Sequence, residues 1–410
     1  MRVGVIWENF QFGGVTTHLE NLINNKIFKN YEFVIFTNKT NKAVFKLKKK
    51  IYNKKVKFEF YNSLNVIYFN YKFLKLIFFS LRPFLFLLSV FQFHKILKKH
   101  ELDILLGNCG GYGDFRSEVS AIVSASFLRI PVKLLLIHHS YTKPLFWQMF
   151  IKFFDRILSR NLQGIIFVSK AVKNNIKRNT FLLKKNLPIK IIYNGVKIKK
   201  SEKGLINLNK IFKKNKNNFK IGMISRIEKN KGQDDLVESY SKLPEKIRKK
   251  IVIYFIGEGS GIFISNLKKR ISELNFKENF IFTGFLNSES FKIAKKLNLL
   301  VSLTKDFEGF GLSLAEALSV KTPVLATKVG GVTEFLNKKN SFLIEPNNLK
   351  EVSIALKDFV KNHKKWKKQA AVGQRLIKHK FSADKMSKNF FTYFESFFIR
   401  TGYEKFKKNL

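Results

Sequence analysis

A second cysteine is missing from these 410 residues, and Cys109 stands alone. An internal disulfide is therefore impossible, as is a zinc site built from four cysteines or from two cysteines and two histidines. A reducing compartment is the expected setting. Acidic residues are scarce too, with 29 Asp and Glu against 77 Lys and Arg and a formal net charge of +48. Arginine is the minor part of that excess, 12 residues of the 77. Readers of nucleic-acid sequence lean on the forked guanidinium for base and phosphate contacts. A charge carried by lysine favours a surface role instead, attracting anionic lipid headgroups, sugar phosphates or other polyanions. The lysines come with many Phe, Ile and Asn, a pattern that an A/T-biased coding sequence also produces.

Other absences narrow the chemistry. The stretch before Glu8 lacks the apolar core and small-residue cleavage site of a secretion signal, so a cytoplasmic protein is expected. No G-x-S-x-G, H-E-x-x-H or G-x-x-x-x-G-K-[ST] occurs, which leaves a serine hydrolase, a zincin or a P-loop ATPase without support. No G-x-G-x-x-G follows the first strand. The Asp-x-Asp triplet with which metal-dependent transferases hold a divalent ion is also missing, Asp306-x-Glu308 being the nearest approach. No metal and no other cofactor is expected.

What is present is a globular composition, 45% hydrophobic and 15% aromatic, long enough for two or three domains. Residues 3–6 form a short apolar run that leads to Gly13-Gly14 and then to a helical pattern through Val15, Leu19, Leu22 and Ile23. That order reads as strand, glycine loop, helix. Similar runs recur at 32–36, 104–106, 133–137 and 165–168, with helical stretches between most of them. From 197 to 218 the chain turns polar and Lys/Asn-rich, as a linker or exposed hairpin would. A second series follows at 220–224, 251–256, 280–282, 299–303 and 323–326, with helical segments at 234–241 and 262–274. Buried parallel strands look like this, so two successive doubly wound β/α domains are predicted.

Two segments interrupt the regularity. Residues 68–93 are very apolar and aromatic, with 76–81 and 84–91 separated by Arg82-Pro83. A membrane span needs about 20 mostly apolar residues, and Lys72, Lys75, Arg82 and Pro83 break the run. A long buried helix is one alternative. A membrane-facing amphipathic surface is the other, since Lys and Phe mixed on one helix is a composition that lies in a headgroup layer. At the end of the chain, Phe390, Phe391, Tyr393, Phe394, Phe397 and Phe398 recur at helical spacing, as in a helix docked on the fold.

The most specific local feature runs from Asp306 to Ala317. It follows a predicted strand directly, so its glycine turn lies at a strand's carboxyl end and opens a helix at Leu312 or Ser313, where open α/β sheets bind ligands. Backbone N–H groups and the positive helix end would face an anion such as a diphosphate. Glu308 and Glu316 would reach hydroxyl groups on either side of it. Ser225-Arg226 and Lys231-Gly232 follow the first strand of the second domain and place two cations where a phosphate is clamped. Gly257-Glu258-Gly259 ends another strand with glycines that permit close backbone approach. Three strand ends thus converge on one expected anion-binding cleft.

With these residues in hand, the sequence resembles the retaining glycosyltransferases of family 4, which have the two-domain GT-B fold, two Rossmann-like domains facing across a cleft. Glu308 to Glu316 matches the family's E-x7-E motif with its inner Gly-Phe-Gly-Leu. Arg226, Lys231-Gly232, the 257–259 loop and Thr283-Gly284-Phe285 match its other loops, and Gly13-Gly14 matches the glycine pair that opens its first helix. Residues 192–196 look like the segment closing the first domain, and 381–395 like the terminal helix that crosses back.

The resemblance implies an acceptor-binding domain at 1–197, a nucleotide-sugar-binding domain at 198–383 and a returning helix at 384–410. It implies transfer of a sugar, with retention, from a nucleotide-diphosphate donor to a glycan or lipid-linked acceptor. Envelope polysaccharide or lipopolysaccharide assembly, peripherally on the inner membrane face, is the expected setting, with an anionic membrane surface and no specific nucleic acid as partner. By the same carry-over Arg226 and Lys231 stabilise the departing diphosphate, Glu316 holds the ribose and Glu308 the donor sugar. Phe310, Gly311 and Leu312 offer backbone N–H groups, while Gly13, Gly14, Gly257 and Gly259 permit close approach. A histidine near the sugar is met by either His138 or His139. Ser169, which fits a family loop serine, reads better as a helix cap. Two other functions stay open: a GT-B nucleotide-sugar epimerase and a non-enzymatic polyanion-binding protein.

Overall fold

The computed structural model describes residues 1–9, 13–64, 81–113, 117–141, 148–183, 186–198, 205–213 and 217–401. The chain divides into two compact units, Met1–Gly195 joined by the chain from Ala383 onward, and Val196–Ser382.

The first unit is built on seven strands: β1 Arg2–Trp7, β2 Glu32–Asn38, β3 Val56–Tyr61, β4 Ile104–Cys109, β5 Val132–Ile137, β6 Gly164–Phe167 and β7 Ile189–Ile191. They pair in parallel in the order β3-β2-β1-β4-β5-β6-β7. The second unit holds six: β8 Phe219–Ile224, β9 Ile251–Ile256, β10 Phe280–Gly284, β11 Leu299–Ser302, β12 Val324–Thr327 and β13 Phe342–Ile344, again all parallel, in the order β10-β9-β8-β11-β12-β13. Each order reverses beside its first strand, which is the doubly wound arrangement.

Central strands are apolar because helices cover both faces of a parallel sheet. Every residue of β4, β5 and β9 is buried. The core of the second unit gathers Ile221, Leu236, Tyr240, Phe255, Val301 and Phe359. Three strands, β3, β7 and β13, do not coincide with any predicted run. All lie at sheet edges: β3 alternates apolar with charged residues, β7 sets exposed Lys190 between two half-buried isoleucines, and β13 is a run of only three apolar residues.

The linker expected at 197–218 is corrected. Residues 199–204 and 214–216 lie outside the described residues, but between them Leu205–Lys213 is a helix. It buries Leu208 and Phe212, and the Phe212 ring lies 4.8 Å from Tyr254, so this stretch packs on the second unit. Within the aromatic segment, residues 65–80 lie outside the described residues. The described part is the helix Arg82–Leu97, with Pro83 in its first turn, where a missing N–H leaves no bond unmade. Among the described residues no helix is long and apolar enough to cross a membrane.

The terminal helix Ala383–Thr401 packs within the first unit. Phe391 meets Phe28 and Tyr31, Phe390 meets His18, and the Tyr393 hydroxyl donates to the Pro188 carbonyl at 2.9 Å. Gly164 makes room for it, since a Cβ there would fall 2.2 Å from that hydroxyl oxygen.

Candidate active site

In the second unit, four loops at the carboxyl ends of parallel strands are tied to one another. The loop after β8 leans on the loop after β9: the Ser225 N–H donates to Ile256 at 3.2 Å and the Ile227 N–H to Glu258 at 2.9 Å. Glycine is required at this contact. A Cβ on Gly257, whose φ is +149°, would fall 2.0 Å from the Ser225 carbonyl oxygen, and one on Gly259 would fall 1.8 Å from that of Ile227. Buried Gln233 locks the same loop from below, its amide donating to Ser225 Oγ at 3.1 Å and to the Arg226 carbonyl at 2.9 Å.

The loop after β8 is tied to the loop after β11 by charge. Lys231 Nζ pairs with Glu308 Oε2 at 2.9 Å, both side chains mostly buried. One step back, Lys305 Nζ bridges Asp234 at 3.0 Å and Asp235 at 2.8 Å, while its N–H donates to the Asn230 carbonyl at 2.9 Å. The Glu308 backbone is fixed from the turn after β12. The Gly331 N–H donates to its carbonyl at 2.8 Å, and a Cβ on Gly330 would fall 2.1 Å from that oxygen.

The helix Leu312–Ser319 starts where predicted, with Gly311 at its cap in the left-handed region, φ +87°. Its first N–H groups have no partner inside the helix, so the positive end is available to an anion. Glu316 lies one turn in and is largely buried. Phe310 is a core residue, its ring stacked on Phe335 at 5.0 Å, which leaves its backbone as the part that faces the loop. Arg226 is different: its side chain is 60% exposed and held by Glu228 at 3.0 Å.

The second unit thus brings together Arg226, Lys231, Gly257, Gly259, Glu308, Gly311, Leu312 and Glu316. Sequence reasoning missed Gln233, Lys305 and the pair Gly330-Gly331. The glycine pair had a legible signal, coming just after a predicted strand as Gly13-Gly14 does. Gln233 had none, because a buried amide at a helix start looks like any polar residue.

The remaining predicted site residues belong to the first unit. Gly13 caps the helix Gly14–Ile23 in an extended conformation, and a Cβ on either glycine meets nothing within 4 Å. Fold geometry therefore demands glycine at neither position. After β5 the two histidines separate. His138 is buried, with Nε2 2.8 Å from Asn108 Oδ1 and its ring edge-on to His18 at 4.7 Å. His18 in turn sits 2.8 Å from Asn194. Burial pushes the His18 pKa down to about 4 and holds His138 well below the usual imidazole range. His139 is half-buried and contacts Ser140 Oγ through Nδ1 at 3.0 Å. Ser169 is the expected cap, accepting from the Val172 N–H at 3.1 Å.

The comparisons with known proteins agree with one another. The family "Glycosyltransferase Family 4" matches residues 12–200, and "Glycosyl transferases group 1" matches residues 206–378. An uncharacterized glycosyltransferase of Methanocaldococcus jannaschii is 27% identical over 91% of this chain and 92% of its own. A second one from the same organism is 28% identical over 60% of this chain, which spans about three-fifths of that relative, 61%. Among solved structures, Anabaena HepE in complex with UDP-glucose superposes with a TM-score of 0.76 at 20% identity, covering 97% of this chain and all of that one. The fold is GT-B, and the chain belongs to the family 4 glycosyltransferases.

Proposed function

We propose that the chain transfers a sugar, with retention at the anomeric carbon, from a nucleotide-diphosphate donor to a glycan or lipid-linked acceptor. The setting is envelope polysaccharide or lipopolysaccharide assembly at the cytoplasmic face of the membrane. The observation that carries the reading is the Lys231–Glu308 pair set between glycine-locked loops and the start of the helix Leu312–Ser319. One cation, one carboxylate and a positive helix end are the groups that the junction of a diphosphate and a sugar would call for.

The bond from the anomeric carbon to the diphosphate breaks, the bond to the acceptor oxygen forms on the same face, and the hydroxyl proton leaves with the diphosphate. Lys231 and Arg226 neutralise the charge growing on the leaving group. Glu308 orients the donor sugar and Glu316 the ribose, while the Gly311 and Leu312 amides face the phosphate. No metal is assigned a part. Of the two candidate histidines, His138 is sealed against Asn108 and His18, and His139 is half-buried. The UDP-glucose complex of HepE makes UDP-sugars the first donors to try. The net charge of +48 suits an anionic acceptor or membrane surface.

The test is a thermal-shift panel of UDP-, GDP- and ADP-sugars, with and without EDTA, on wild type, Glu316→Ala and Arg226→Ala. A ligand at about 100 times its Kd adds roughly 2.7 kcal/mol. One nucleotide class is expected to raise the midpoint regardless of EDTA, with both variants losing the shift. A panel without any shift, or donor turnover that needs no acceptor, overturns the reading.

A further inference from the structure

We infer that the exposed apolar and basic side chains of the helices Arg82–Leu97 and Gln148–Asn161 dock on an anionic lipid bilayer. The inference deepens the membrane part of the proposed function and rests on it. The first helix is anchored from behind: Ser89, Phe93 and Leu97 are buried, and the Phe93 ring lies 4.9 Å from Tyr61. Its outer face is apolar where a solvated helix would be polar. Phe84, Leu87, Leu88 and Phe91 follow one another at helical spacing with 59%, 64%, 41% and 58% of their surface exposed. The second helix touches it through Phe86 against Phe154 at 4.6 Å and carries Phe153, 57% exposed.

The charge around these side chains is of one sign. Lys95, a turn beyond Phe91, holds its ammonium 4.4 Å over that ring. Lys152, Arg156 and Arg160 are exposed at four-residue spacing on the second helix. The two helices carry a single acid between them, Asp155, which is buried, bonded to the Tyr112 hydroxyl and accepting from the Phe181 N–H. Exposed apolar side chains together with exposed cations, and no exposed carboxylate on either helix, match a headgroup layer, in which the rings enter the acyl boundary and the ammonium groups meet lipid phosphates. A second copy is a poor occupant, since a two-fold contact through this face would oppose cation to cation. A nucleic acid would satisfy the cations and leave the aliphatic side chains in water.

The experiment is co-sedimentation of the full chain with vesicles of phosphatidylcholine alone and of phosphatidylcholine mixed with phosphatidylglycerol, with no sugar present. Failure here therefore leaves the transfer reaction standing. The wild type is expected to partition onto the anionic vesicles at least about tenfold more strongly than onto neutral ones. Phe84→Ser/Leu87→Ser/Phe91→Ser is expected to lose about tenfold or more at every salt concentration. Lys95→Glu/Lys152→Glu/Arg156→Glu is expected to abolish the preference for anionic lipid while keeping the wild-type unfolding midpoint. Equal partition onto both vesicles overturns the inference, as does wild-type binding by the serine variant. Displacement from vesicles by RNA, equal for wild type and serine variant, reduces the face to a general polyanion patch and overturns it too.

Discussion

In the second unit the loops after β8 and β9 interlock so closely that a methyl group on Gly257 would fall 2.0 Å from a backbone oxygen, whereas in the first unit a methyl group on Gly13 or Gly14 meets nothing within 4 Å. Charge follows the same division. The second unit pairs its site cations in advance, Lys231 with Glu308 and Arg226 with Glu228. The first unit keeps the imidazoles of His18 and His138 neutral and out of water. The second unit is preassembled, as binding of the proposed diphosphate donor would require. The other leaves its glycines facing open space, which suits a partner that supplies part of the surface itself.

The sharpest way to break that contrast is to add one carbon on each side. Gly257→Ala is expected to cost about 3 kcal/mol or more, because both its φ and its backbone contact exclude a Cβ. Gly14→Ala, at the start of a helix, should stay within about 1 kcal/mol and lean toward stabilisation. Urea unfolding of the two variants reads the difference, and equal costs would erase the distinction.

The next effect is a pH dependence that belongs to the first unit. His18 stays neutral in the folded protein down to about pH 4, while the unfolded chain takes up its proton below about 6.5. Its contribution is therefore intact above 6.5 and is lost as the pH falls toward 4, by about 3 kcal/mol. His138 acts in the same direction. His18→Gln should flatten the loss of midpoint across that window, and an unchanged slope would assign it elsewhere.

The smallest effect tests the advance pairing in the second unit. Arg226 is mostly exposed, so Glu228→Gln should change stability by less than about 0.5 kcal/mol. It should still tighten nucleotide binding by a few fold, read by calorimetry, because the diphosphate no longer competes with a carboxylate for the guanidinium. Weaker binding would mean that Glu228 positions Arg226 rather than competing for it.

The central strands were legible because a strand buried on both faces writes a continuous apolar run, as at 251–256, where the expected and observed bounds coincide. β3 and β7 were not, since charged residues interrupt their apolar ones, and β13 was passed over although Phe342-Leu343-Ile344 is an apolar run. The helix Leu205–Lys213 hid because the stretches on either side of it are rich in lysine and asparagine, which masked apolar residues such as the buried Leu208 and Phe212. At the site, most residues with a backbone duty stood out, Gly330-Gly331 excepted, because glycine beside a strand end mostly serves a tight turn or a close backbone approach. Gln233 and Lys305 did not, because their duty is to hold other loops, and a side-chain bond to a distant partner leaves no local spacing to read.

The place of the helix Ala383–Thr401 also sets a schedule. A ribosome finishes β1 to β7 early, yet the helix that covers Phe28, Tyr31 and His18 is made only after residues 196–382. At about 5–20 residues per second that interval lasts roughly 10–40 s. By its end the second unit has all of its own residues and can close, while the older unit has waited with aromatic rings bare. Emergence of residues 383–401, rather than of the strands of the first unit, is then the moment at which the first core becomes complete, and a truncation that spares every strand would still leave it unfinished.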